Sequence, residues 1–220
     1  MIVCSLNEVE MYGRRAARGA GMAWGLAEEA GKAARWLVAR GFPGVELLTS
    51  LLNANDGRPY EFMAPHIVNG RWQSGDETLC PICTGAALSD RIDLLARNQE
   101  ISLFRVAFPL LLAPFLNQSP LTNNVCHELR WSSVRVSVWA DGVAVDSPRA
   151  SDLVCGDADV VKLTCGDTPD SGPTHRPRTE GATMPLSVWR ALEALAGRTY
   201  VPATEESRRR GAGAGRTDND

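Results

Sequence analysis

The chain has 220 residues, of which 44% are hydrophobic and 22% charged, with a formal net charge of −3. That balance excludes wholesale disorder, and the slight acidity excludes a general binder of polyanions, so no nucleic-acid partner is expected. A chain of this length buries roughly 70% of its extended surface on folding, enough for one domain with one core.

The N-terminal residues lack the basic region and apolar run of a secretion signal. The most apolar run, 106–116, is interrupted by Pro109 and Pro114 and falls short of the roughly 20 residues a membrane span needs. A cytoplasmic protein with no membrane partner is expected, and its 6 cysteines are expected to be reduced thiols.

Ser5-Leu6-Asn7-Glu8 has the S-x-x-E pattern in which a hydroxyl takes a free backbone N–H and the glutamate reaches back, which predicts a helix from there to about residue 18. Gly19-Ala20-Gly21 ends it. A second helix follows over about 23–40 and stops at Gly41-Phe42-Pro43-Gly44, and a third, short one covers 45–52. Residues 53–77 read as loop with a short strand near 66–68. Helical spacing returns over 86–97, and 101–108 reads as a strand. The run 109–116 is ambiguous between a buried helical turn and a strand. Alternation over 134–139 and 143–146 around Asp141-Gly142 predicts a hairpin. A strand is expected at 159–165, a loop over 166–183, and a final helix over 186–197.

Helices followed by strands and one closing helix predict an α+β fold: N-terminal helices packed on a mostly antiparallel sheet, closed by a C-terminal helix and tail. The expected layout of the single domain, 1–220, is a helical layer (1–55), a mostly β part with one helix (56–183), the closing helix (184–199) and a glycine-rich tail (200–220).

Two stretches carry a resemblance. The run Arg15-Ala-Ala-Arg-Gly-Ala-Gly-Met-Ala-Trp24-Gly-Leu-Ala-Glu28-Glu29-Ala-Gly31, with Arg35-Trp36-Leu37 after it, and the ending Arg198-Thr-Tyr200-Val-Pro202-Ala-Thr-Glu205-Glu-Ser207-Arg208, then Gly211, Gly213, Gly215 and Asp218-Asn219-Asp220, resemble an uncharacterised bacterial family of about this length, one of the domains of unknown function. The resemblance implies that both ends are family features and supplies no reaction or cofactor. The central cysteines are less typical of it.

Four candidate sites follow. In the second helix Trp24, Glu28, Lys32 and Arg35 share a face, and Glu28 to Lys32 has the favoured orientation for a surface ion pair. A solvated face is the plainer account. The sharper account uses the preceding turn: Gly19 and Gly21 let backbone approach a ligand, the helix start offers unpaired N–H groups, and Arg18 adds charge, so that a carboxylate or phosphate is held there. No strand precedes the turn, which excludes a dinucleotide fingerprint.

The tail is the second site. Its composition is that of a frayed terminus, but Tyr200-Val201-Pro202 reads as an anchor. An ordered tail would bring Glu205 up as an acid/base partner to Glu28 and Ser207 and Arg208 as anion ligands, with Tyr200 beside them.

The third is Cys80-Pro81-Ile82-Cys83. A structural zinc site needs a second such pair and none exists; a redox pair should open a helix directly after a strand, where the sequence reads as loop before it and Thr84-Gly85 after it. Inert buried thiols are the reading, with no metal and no cofactor. The fourth is His127 beside Cys126 and Glu128, read as a satisfied histidine in a turn.

The expectation is a small-molecule enzyme or ligand-binding protein for an anionic metabolite, or alternatively an assembly subunit, including a homo-oligomer, with Trp24 and Trp36 as interface anchors.

Overall fold

A computed structural model describes residues 1–59, 62–75, 78–91, 100–117, 125–140, 142–167 and 179–200. The fold is α+β. Strand β1 (Ile2–Ser5) leads into α1 (Leu6–Gly19), followed by α2 (Trp24–Ala39) and α3 (Gly44–Ala54). A hairpin of β2 (His66–Val68) and β3 (Arg71–Gln73) precedes α4 (Pro81–Ser89) and β4 (Glu100–Ala107). A 3-10 turn over Pro109–Leu112 runs into the one-turn α5 (Ala113–Leu116). Then come β5 (Val125–Trp131), β6 (Val134–Trp139), β7 (Gly142–Asp146), the short α6 (Ala150–Leu153), β8 (Asp157–Asp167), β9 (Gly181–Met184) and α7 (Leu186–Gly197).

The capping box forms as its residues dictate. The Ser5 hydroxyl accepts from the Glu8 N–H and the Glu8 carboxylate accepts from the Ser5 N–H at 2.8 Å. The helix ends where the glycines fall: Gly21 (φ +96°) and Gly41 (φ +72°) take the left-handed conformation that closes α1 and α2.

The opening helices are joined by small residues. Ala16, Ala17, Ala27, Ala30, Ala33 and Ala34 are buried, and a Cβ on Gly31 would lie 2.5 Å from the Glu10 carbonyl oxygen, so α1 and α2 cross almost backbone to backbone. Helix α7 packs on α1, with Tyr12 edge-on to Trp189 at 4.7 Å between ring centroids.

The large sheet has the order β2-β3-β4-β8-β5-β6-β7. Every described pairing in it is antiparallel except β3 with β4, which is parallel. Its inner face presents Leu103, Leu129, Val136, Val161 and Leu163 to the core, and its outer face carries charge, including Glu100 with Lys162 at 2.9 Å and Glu128 with Arg135 at 3.4 Å. The opening helices reach this sheet mainly through an intermediate layer: α4 with the buried Leu110, Leu111, Leu112, Phe115 and Leu116. No helix among the described residues is long and apolar enough to cross a membrane.

Several readings change. Residues 2–5 are a strand, paired antiparallel with β9 (Ile2 opposite Met184, Ser5 opposite Gly181), which also places a strand where a loop was expected over 166–183. The ambiguous run 109–116 is helical. The predicted helix over 86–97 starts earlier, at Pro81, and 92–99 lie outside the described residues. The C-x-x-C therefore opens a helix after all. The hairpin forms in the predicted register, Trp139 opposite Gly142, with Asp141 outside the described residues. His127 sits in β5, not in a turn; the alternation of His127, Leu129 and Trp131 was hidden because the first inward residue is polar.

Candidate functional site

The tight part of the predicted turn between α1 and α2 is bonded from within. The Ala20, Gly21 and Met22 N–H groups donate to the carbonyls of Ala16, Arg18 and Ala17 at 2.9–3.0 Å. Arg18 donates from Nη1 to the Met22 carbonyl and its guanidinium lies 4.6 Å from the Trp24 ring centroid, so its charge is engaged within the turn while the indole stays largely exposed. Gly19 has its open side filled: a Cβ there would lie 1.8 Å from the Leu195 carbonyl oxygen of α7. It is a packing glycine, not a ligand approach. Glu28 is exposed one turn along α2. Lys32 pairs with Glu29 at 2.7 Å, in place of the expected Glu28, and that hydrogen bond holds its ammonium above the ordinary lysine value despite some desolvation.

The far end of the described chain does reach this region. Arg15 donates from Nη1 to the Tyr200 hydroxyl at 2.7 Å, and Arg198 donates to Asp56 at 2.6 Å and to the Gly19 carbonyl at 3.4 Å. The candidates Glu205, Ser207 and Arg208 lie outside the described residues.

Two cavities flank the helical pair. The first, about 30 Å³, is lined by Gly21, Met22, Leu26, Asn55, Met63 and Cys83 among others. Asn55 is only 7% exposed, and its Nδ2 has no hydrogen-bond partner among the described residues.

The second is an open groove of about 510 Å³ on the outer side of α1 and α2, whose lining includes Glu10, Lys32, Arg35, Trp36, Arg40 and Thr179. Arg35 pairs with Glu10 at 2.7 Å. The Arg40 guanidinium lies 3.8 Å from the Trp36 ring centroid. Trp36 is fixed from behind by its Nε1 donating to Asn117 at 3.0 Å, and Thr179 is tied to the end of α2 by its N–H on the Ala39 carbonyl at 2.9 Å and its hydroxyl on the Val38 carbonyl at 2.6 Å. Sequence reasoning found Lys32 and Arg35 on one face but stopped there. The same four-residue step continues to Trp36 and Arg40, and that signal was available. Glu10 and Thr179 come from other elements and gave none.

All six cysteines are free, and five are buried. Among the described residues no group of three or more His, Cys, Asp or Glu stands where it could hold a metal ion.

His127 is 1% exposed and its Nδ1 has no partner among the described residues. Burial pushes its pKa below the ordinary histidine value, so the ring is neutral when folded. Unfolding restores ordinary basicity, and the unfolded chain then binds the extra proton. Stability from this residue is complete above about pH 6.5 and falls as pH drops toward the folded pKa, with a slope of up to about 1.4 kcal/mol per pH unit. Urea denaturation of His127→Phe beside the parent at pH 7.5 and pH 5.5 is expected to show a smaller acid loss in the variant; equal losses would refute the assignment.

Comparison with characterised proteins and with solved structures finds no match to this chain. A family comparison covers the run 15–31 and Arg35-Trp36-Leu37 and stops short of the run 198–220. Residues 4–74, which hold all of α1, α2, α3 and the β2–β3 hairpin, match the model of DUF3726, a family described as a protein of unknown function.

Proposed function

We propose that this protein binds a small anionic metabolite, a carboxylate or phosphate, in the groove along α1 and α2. The observation that carries the reading is that Lys32, Arg35 and Arg40 line one groove beside the Trp36 ring, with Lys32 held by Glu29 and Arg35 by Glu10. Arginine forks match carboxylate and phosphate oxygens in pairs, and an indole face gives an apolar wall. All of the lining residues except Thr179 lie within the family-matched part. Six free thiols suit a reducing, cytoplasmic setting.

A thermal-shift panel of carboxylates and phosphate esters tests this. At least one compound is expected to raise the melting temperature, with Arg35→Gln and Arg40→Gln each weakening binding by about 10- to 100-fold and Arg18→Ala leaving it unchanged. No shift across the panel, or a shift kept in the Arg35→Gln/Arg40→Gln double variant, would refute it. A second reading, assembly with another copy, is favoured by Trp24, which stays 66% exposed. Sedimentation of the parent and of Trp24→Ser separates the two: a mass change without any effect on the ligand panel would support assembly.

A further inference from the structure

The parallel pairing of the large sheet occurs at one place. Strand β3 runs parallel to β4, with Arg71 opposite Ser102 and Trp72 opposite Leu103. Leu79 lies on the same side of β4: its N–H donates to the Arg105 carbonyl at 2.7 Å, and the Ala107 N–H donates to the Leu79 carbonyl at 3.1 Å. The next residue, Cys80, is the N-cap of α4, Pro81 opens the helix, and the Thr84 N–H donates to the Cys80 carbonyl at 2.9 Å. Cys80 and Cys83 thus stand where a single parallel bridge to β4 passes directly into the first turn of α4, whose opening N–H groups have no carbonyl of the helix to bond.

We infer that Cys80 and Cys83 are a redox-active dithiol that closes to an intramolecular disulfide on reaction with a small hydroperoxide, which meets Cys83 in the cavity beneath Gly21 and Asn55. Three further observations support it. Both thiols sit in the first turn of α4, where the neighbouring Cys83 thiol and the Cys83 and Ile82 N–H groups hold Cys80 below the ordinary thiol value, while the Cys80 neighbour and burial raise Cys83. Cys83 lines the cavity, whose volume of about 30 Å³ admits only a molecule near the size of water or hydrogen peroxide. The unpartnered Nδ2 of Asn55, in a side chain 93% buried, lines the same space and offers a donor to a peroxide oxygen.

The reaction balances without another reductant. Cys80, the more acidic thiol, releases its proton to solvent and then takes the Cys83 proton, which leaves Cys83 as the thiolate that faces the cavity. The Cys83 sulfur attacks a peroxide oxygen, the O–O bond breaks, and hydroxide leaves and takes a proton from solvent. Cys83 is now a sulfenic acid. The Cys80 sulfur attacks it, the S–S bond forms, the S–O bond breaks, and that oxygen leaves with the Cys80 proton as water. Two thiols and one hydrogen peroxide give one disulfide and two waters; the dithiol loses two electrons and the peroxide gains them. Residues three apart across a first helical turn are close enough to be bridged.

The test is hydrogen peroxide titration of the reduced full chain, followed by alkylation under denaturing conditions and peptide mass analysis. The expected result is loss of two alkylatable thiols, both in the peptide carrying Cys80 and Cys83, which becomes lighter by two hydrogens and is restored by dithiothreitol. Cys83→Ser abolishes this product, and Asn55→Leu slows it about tenfold, the worth of one lost hydrogen bond. Full alkylation of both cysteines while the others oxidise, or accumulation of sulfinic acid in place of the disulfide, would overturn the proposal. If Cys83→Ser fails to fold, the parent measurement and the Asn55→Leu rate decide it alone.

Discussion

Phe115→Ala is expected to destabilise the fold by about 3–5 kcal/mol, the range for truncating a buried aromatic. Phe115 is 2% exposed and sits in the layer that joins the opening helices to the sheet. Its ring lies flat against Gly85 of α4: a Cβ built there would stand 2.3 Å from Cδ2. The glycine and the ring are therefore one packing unit. Gly85→Ala alone is expected to cost about 1–3 kcal/mol from overpacking, offset by up to about 1 kcal/mol of helix propensity. In the double variant the new methyl enters the space the ring has left, so the combined loss is expected to fall short of the sum by about 1 kcal/mol or more. Urea unfolding of the four proteins checks this, and simple additivity would show that ring and glycine do not share that space. Because Cys83 lies two residues before Gly85, Phe115→Ala is also expected to speed alkylation of the native thiols.

Two glycines of one helix are expected to respond with opposite sign. Gly31→Ala pushes a methyl to 2.5 Å from the Glu10 carbonyl oxygen and 3.1 Å from the Arg14 nitrogen. These are backbone atoms of α1, which can yield only by moving the whole helix, so a loss of about 2 kcal/mol is expected even after the gain in helix propensity. Gly25→Ala meets nothing within 4 Å, and at an exposed first-turn position it is expected to add about 0.5 kcal/mol. Thermal melts of the two variants measure both. A neutral Gly31→Ala would mean that the α1–α2 crossing is looser than the described geometry. Arg35, Trp36 and Arg40 ride on α2 and Glu10 on α1, so the same variant is also expected to weaken anion binding in the groove.

The helical third was legible in the sequence because its signals are local. Ser5 and Glu8 cap within one turn, Gly21 and Gly41 close helices by their own backbone freedom, and Asp141-Gly142 sits between two clean alternations. What escaped was non-local. Ile2–Ser5 becomes a strand only because Gly181–Met184 lies beside it. The C-x-x-C looked like loop because the residue that makes its entry strand-like, Leu79, pairs with Val106, far along the chain. In β5 a buried histidine occupied the place where an apolar residue would have announced the period. The candidate site divided in the same way. Lys32 and Arg35 declared themselves by helical spacing, whereas Glu10 and Thr179 enter the groove through tertiary packing. Of the two glycines of the first turn, Gly21 has the expected backbone freedom, whereas what approaches Gly19 is the carbonyl of Leu195.

The pairing of β1 with β9 sets an order of events during synthesis. Residues 2–5 leave the ribosome long before the strand they need, which is encoded at 181–184. Until then a short edge with free N–H and C=O groups waits beside a helical bundle that can already assemble, and α7, which covers α1, is later still. Any premature neighbour competing for that edge would have to be excluded until 181–184 are made.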